Sequence, residues 1–267
     1  DNLAYVERMK KNSAAVASDK FHELLFGNHP YSLNQYGTEV SLNNINIEQI
    51  NDVHTKFVKT NNTILSAVGN FNREELIEQL EKNIALGNSS YIPKIENNII
   101  QISEDLEEHF KIGDKQQSHI FVGTYAPSLD CNSRFSFNLI NTVLSGMGGR
   151  LFIELRDKKS LAYSVTSFYT PTINIGYFGA YIGCSPDKKH ESIEAINYEL
   201  KRLIKDGISQ EELTRAKNYL IGKNDISMQR NSSVNSRILL SYLYGLDVNE
   251  PFNFMNQIMN VDMNSIN

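Results

Sequence analysis

Apolar positions in the first part of the chain recur at helical spacing. Val6, Met9, Ala14, Ala17, Phe21, Leu24 and Leu25 predict a helix over residues 3–27. Residues 30–46 are turn-rich, and "NIEQINDVHTKFVKT" follows with Ile47, Ile50, Val53 and Phe57 on one side of a second helix. His54 lies beside that stripe and reads as a packing residue. The β-branched run "NTILSAVGN", ending at Gly69-Asn70, predicts a short strand. Asn72 then caps "REELIEQLEKNIA", in which Leu76, Leu80 and Ile84 repeat every four residues.

Periodicity stops at "LGNSSYIPKIENN", residues 86–98, the best linker candidate. The expected organisation is one domain over 1–86, a linker over 87–98 and a second domain over 99–267. In the second part "NIIQISE", "SHIFVGTYA", "LAYSVTSFYT" and "GYFGAYIGC" alternate like strands, and "NSRFSFNLINTVLSG" reads as a helix. Helices are expected over 187–205, 209–228 and 231–245, and again in "PFNFMNQIMNV". Strand pairs lie close in sequence and helices do not alternate with strands one for one. The fold class is therefore α+β, with antiparallel-rich sheets and helices packed on one face, rather than a doubly wound parallel sheet.

Composition narrows function mainly by exclusion. The 267 residues are 40% apolar and 21% charged, with a net charge of −5, so no general attraction to nucleic acid or an anionic membrane is expected. Cys131 and Cys184 supply neither a disulfide framework nor a metal quartet. No apolar run approaches the roughly 18 residues of a membrane span. The first residues already lie in a helical pattern and the last read as the start of another element. The sequence is thus expected to be a piece of a longer polypeptide, whose cell compartment it does not reveal.

"HELLFGNH", residues 22–29, has the look of a zinc-protease helix, which needs two histidines four apart. Phe26 occupies that position, and His29 would lie about 10.5 Å from His22 along a helix axis. Two zinc–nitrogen bonds of about 2 Å cannot span that gap. Pro30 also disfavours helix at His29. The inverted motif H-x-x-E-H is absent. No metal site is expected in this chain, and His22 reads as a half-buried or exposed helix histidine.

The most specific stretch is "LSGMGGRLFIELRDKKSLAYSV", residues 144–165: a glycine-rich turn, a short helix with Arg150 and Arg156, a polar break, and a strand from about Leu161. Its glycines fit neither phosphate-binding frame. Arg156 and Tyr163 stand seven residues apart across the helix-to-strand break, and side chains of these types can both hydrogen-bond a ligand's backbone carbonyl. Alternatively Arg156 pairs with Asp157 or Glu154 at the surface while Tyr163 packs.

This stretch resembles the insulinase–pitrilysin family of zinc peptidases, through Gly148, Gly149, Arg150, Leu151, Phe152, Leu155, Arg156, Leu161, Tyr163 and Val165. "ISQEELTRAKNYLIG", 208–222, and "FGNHPYSLNQYGTEVSLNNI", 26–45, resemble two further family segments, and "VGNFNREEL" resembles the usual end of the earlier domain. The matches run in family order over roughly residues 20–260.

The resemblance implies paired α/β rolls, here one partial and one nearly complete, in the C-terminal half that lacks zinc. Zinc is expected in a missing N-terminal half. The region where the family carries its third ligand, a Glu, offers Tyr5 and Glu7 here. By carry-over Arg156 and Tyr163 bind the backbone of a peptide substrate, and Tyr163 helps stabilise the oxyanion, so Tyr163 is the candidate catalytic residue. The implied partners are a peptide substrate and the zinc-bearing half, in the same chain or as a subunit. By itself the chain is expected to be inactive. A second reading makes it a catalytically inactive structural or partner subunit of a peptidase-like complex.

Overall fold

A computed structural model describes residues 2–84, 107–109 and 116–266. It divides into two compact units that do not follow chain order. One comprises Asp1–Thr38, Asn98–Lys223 and Met255–Asn267, the other Glu39–Asn97 and Asn224–Phe254. The linker expected at 87–98 and the strand expected in "NIIQISE" lie outside the described residues.

In the first unit the chain opens with α1 (Asn2–Lys10) and α2 (Ser13–Phe26). The single helix expected over 3–27 is in fact these two. Asn12 interrupts it, because its side-chain oxygen accepts from the amides of Ala14 and Ala15 at 3.1 and 3.2 Å. An asparagine that satisfies the first amides of the next helix is a cap, and competes with helix continuing through it.

In the second unit α3 (Glu39–Asn44), α4 (Ile47–Phe57) and α5 (Arg73–Asn83) follow. Asn46 and Gln49 form a reciprocal capping box on α4, and Asn72 caps α5 as expected. The strand expected over 62–70 is not formed. Those residues run outside any ladder, with Ser66 Oγ donating to Asn235 Oδ1 at 2.6 Å. β-branched residues favour extended backbone, but a strand also needs a neighbour, and none is paired to this one among the described residues.

The remaining elements are β1 (Ser118–Ala126), α6 (Arg134–Leu144), a π-helical segment (Phe152–Lys158), β2 (Ala162–Thr170), β3 (Gly176–Cys184), α7 (Lys189–Asp206), α8 (Gln210–Met228), α9 (Asn231–Leu243) and α10 (Glu250–Asn260). The strands form an antiparallel sheet of order β1-β3-β2. The α+β, antiparallel reading holds, although helices pack on both faces of the sheet, where the sequence predicts one. Val165, Phe178, Ala180 and Ile182 point from one face into a core with Ile140 and Leu144 of α6, Ala195 and Ile196 of α7, and Leu151, Leu155 and Leu161. On the opposite face α2 lays down Phe21, whose ring lies 5.7 Å from Phe121 and 5.6 Å from Phe168. That contact is possible because Gly123 and Gly179 face each other across the ladder. A Cβ at Gly123 would meet the Phe21 ring at 2.8 Å.

Candidate functional site

The segment after α6 is braced before it presents anything. Arg150 donates from Nε and Nη2 to the two carboxylate oxygens of Glu212, both at 2.6 Å, and from Nη2 to the Gly207 carbonyl at 2.9 Å. Glu212 in turn accepts from the amide of Ser209 at 2.8 Å, and its own amide donates to Ser209 Oγ. The Arg150 hydrogen bonds are the main cause that holds the Glu212 carboxyl down at about 2. Burial opposes this shift without cancelling it. Arg150 thus ties the glycine turn to the start of α8. The pattern "SQEE" at 209–212 is a capping-box signature that sequence reasoning could have used to find this anchor.

Beyond the brace the chain winds as a π-helix, with Leu151 and Leu155 fully buried beneath it. A widened turn of this kind concentrates at functional sites. It ends at Lys158, and Ser160, two residues on, has a positive φ (50°), unusual for a residue other than glycine. The amide of Ser160 donates to the Arg156 carbonyl at 3.0 Å, and that of Leu161 to the Leu155 carbonyl at 2.8 Å. Leu161 then plunges into the core and β2 begins. The β2–β3 register slips between Ala162 and Ser164, so Tyr163 sits in a β-bulge. Bulges re-aim side chains.

The two residues carried over from the family segment are therefore both presented outward. Tyr163 is 61% accessible, and its hydroxyl has no hydrogen-bond partner among the described residues. Arg156 is exposed, with its guanidinium 4.8 Å from the centre of the Phe152 ring. Glu154, one suggested partner for Arg156, is instead held by Lys158 at 2.8 Å. Both side chains keep their donors available: the planar fork of Arg156 and the phenol of Tyr163.

The histidines of "HELLFGNH" serve packing. His22 Nδ1 lies 2.7 Å from the Ser18 carbonyl, and its ring stands edge-on to Tyr177. His29 is buried and caps the turn Pro30–Ser32, its Nδ1 accepting from the amide of Tyr31 at 3.1 Å, while burial lowers its pKa. Tyr5 packs against Tyr36 with the rings tilted by 44°, and Glu7 is exposed on α1. Among the described residues no group of three His, Cys, Asp or Glu side chains is placed to hold a metal ion. Likewise, among them no helix is long and apolar enough to cross a membrane.

A family model described as the peptidase M16 inactive domain matches residues 44–220. The chain is 27% identical over 229 residues to an uncharacterized zinc protease of Streptomyces coelicolor, covering 82% of this chain and 49% of that protein. It is 24% identical over 251 residues to a non-peptidase homolog of Helicobacter pylori, covering 91% of this chain and 56% of the relative. The chain spans about half the length of the curated relatives it matches. In fold it is similar to the crystal structure of a peptidase M16 inactive domain from Pseudomonas fluorescens, with TM-score 0.87 at 24% identity, over 99% of this chain and 63% of that one.

Proposed function

The chain belongs to the peptidase M16 inactive-domain family, and on that premise we propose that it is the non-zinc half of a zinc-dependent endopeptidase, binding the peptide backbone of the substrate and completing the reaction chamber. The observation that carries this reading is the outward presentation of Arg156 and Tyr163, on a segment anchored by buried Leu151, Leu155 and Leu161 and by the Arg150–Glu212 brace. The metal belongs, on this reading, to the other half, because the described residues of this chain do not fit one. What this chain contributes is two donors. Arg156 holds a substrate carbonyl, and Tyr163 donates its phenolic hydrogen to the oxygen on which negative charge develops.

The need for a second half has independent support in the unit formed by Glu39–Asn97 and Asn224–Phe254. Among its described residues no large apolar side chain is buried, whereas Val40, Ile47, Ile50, Val53, Leu65, Leu243 and Phe252 are all exposed. Exposed apolar side chains in that number support a covering polypeptide partner. The test is to assay peptide cleavage by the chain alone and by the chain assembled with a zinc-bearing half. Activity is expected only in the assembly, and full activity of the chain alone would refute the proposal.

A second reading is favoured by the similarity to the Helicobacter pylori non-peptidase homolog. There the chain is a catalytically inactive structural or partner subunit of a peptidase-like complex. It is preferred if the assembly forms and cleaves, but Arg156→Ala and Tyr163→Phe leave kcat/KM unchanged.

A further inference from the structure

We infer that Lys188 and Ser160 form a positioning clamp that sets the spacing of Arg156 and Tyr163; this rests on the reading of those two residues given above. Ser160 stands midway between them, in the left-handed conformation with φ 50°. A residue with a Cβ pays for that conformation, and glycine is usual at a helix end of this type. The serine is nonetheless gripped from both sides. Its amide donates to the Arg156 carbonyl at 3.0 Å, while its own carbonyl accepts from Lys188 Nζ, also at 3.0 Å. Lys188 lies in the turn Pro186–Lys188 that leads into α7. That helix makes a second grip on the same loop, because Lys159 Nζ lies 5.8 Å above the ring of Tyr198.

Three departures from regular backbone thus meet within a dozen residues: the π-helix that carries Arg156, the left-handed Ser160, and the bulge at Tyr163. Strained backbone persists only where its surroundings over-determine it. Here the over-determining contact comes from a distant part of the sequence, and neither Lys188 nor Ser160 is needed to fill the core. Lys188 fixes the direction of the Ser160 peptide. That direction sets where the helix ends and the strand begins, and with them where the guanidinium and the phenol project. Lys188 and Ser160 are positioning residues, not catalytic ones.

The test uses the chain assembled with a zinc-bearing half and a peptide substrate. Lys188→Met keeps the aliphatic stem and removes the ammonium. It is expected to lower kcat/KM about tenfold, in line with the sensitivity of oriented groups to small displacements, with Tm little changed. Lys188→Arg, which still reaches the carbonyl, is expected to recover most of the loss. Ser160→Gly is expected to raise Tm by about 2–4 °C by removing the left-handed penalty, while lowering kcat/KM because the turn loosens. Opposite signs in stability and activity are not the signature of a structural role. Amide exchange across 160–163 should quicken in Lys188→Met while the rest of the sheet stays protected. If Lys188→Met and Ser160→Gly stay within twofold of the unmodified protein while Arg156→Ala and Tyr163→Phe lose activity, the clamp is wrong and the functional reading stands. If all four retain activity, the functional reading fails and the clamp falls with it.

Discussion

At the scale of single residues, the chemistry proposed here reduces to two exposed donors and one half-buried ion pair, and each makes a distinct prediction. Tyr163 donates to charge that develops only in the transition state. Tyr163→Phe should therefore lower kcat and kcat/KM alike in the zinc-competent assembly, by about 10²–10³-fold. Arg156 holds a neutral carbonyl already present in the bound substrate, so Arg156→Ala should act mainly through KM. Lysine at that position should rescue only in part, because it lacks the planar fork. Steady-state kinetics of the three variants decides this, and equal effects on KM and kcat for Arg156→Ala would contradict its assigned role. Glu212 makes a stability prediction. Its carboxyl is held at about 2 against an ordinary 4.5, and its side chain is 17% accessible. A depressed carboxyl pKa contributes stability that is complete above the ordinary value and lost as pH falls toward the folded value. The contribution, about 3 kcal/mol from a shift of this size, should fade between about pH 4.5 and 2. Glu212→Gln should lower stability at neutral pH and flatten that acid limb in chemical denaturation.

Among the elements, the docking of α2 onto the sheet is the contact most exposed to test. Phe21 lies against Gly123, and the aromatic contacts continue through Phe26, whose ring is 5.6 Å from Tyr177. Gly123→Ala would push a methyl into the Phe21 ring and towards the Phe178 carbonyl, both at 2.8 Å. A loss of about 1–3 kcal/mol is expected from overpacking. The Phe21 part of that loss should be relieved when Phe21→Leu is added, giving a non-additive double-mutant cycle. Gly179→Ala differs in kind. Its Cβ would meet the Val122 carbonyl at 2.3 Å, a backbone atom, so Phe21→Leu should give far less relief. Additive behaviour of the Gly123 and Phe21 variants would show that α2 docks by other contacts. α2 itself depends on Asn12, and Asn12→Ala should cost about 1 kcal/mol as a lost cap.

For the whole molecule, the contrast between the two units governs behaviour in solution. The unit with the sheet holds the apolar core, and the other presents its large apolar side chains at the surface. Amides of α4 and α9 should therefore exchange faster than those of β1 and β3, since few buried contacts hold them. Assembly with the second half should slow exchange selectively at α4, where Ile47, Ile50 and Val53 are exposed. Unaltered exchange there on assembly would place the interface elsewhere. The domain boundary proposed at 87–98 is open to limited proteolysis. Early cleavage within "NSSYIP" is expected, and cleavage confined to 140–165 would count against that boundary.

Much of this was readable from residue order alone. The 3.6-residue spacing of "NIEQINDVHTKFVKT" and the period-two runs "SHIFVGTYA" and "GYFGAYIGC" specify α4, β1 and β3, because each pattern places apolar groups on a single face of only one kind of element. The chain order of three short motifs pointed to the family that the match over 44–220 establishes. Local pattern could not decide whether "NTILSAVGN" is laddered, since a strand exists only when a second backbone lies beside it. Nor could it reveal the two contacts that shape the candidate site. Arg150 meets Glu212 across 62 residues, and Lys188 meets Ser160 across 28. Such pairs form only when folding brings distant segments together. The exposure of Arg156 and Tyr163 has the same origin. Sequence placed the two residues seven apart, but a π-helical turn, a left-handed serine and a bulge turned both outward, and those are settled by packing of Leu151, Leu155 and Leu161 into the tertiary core.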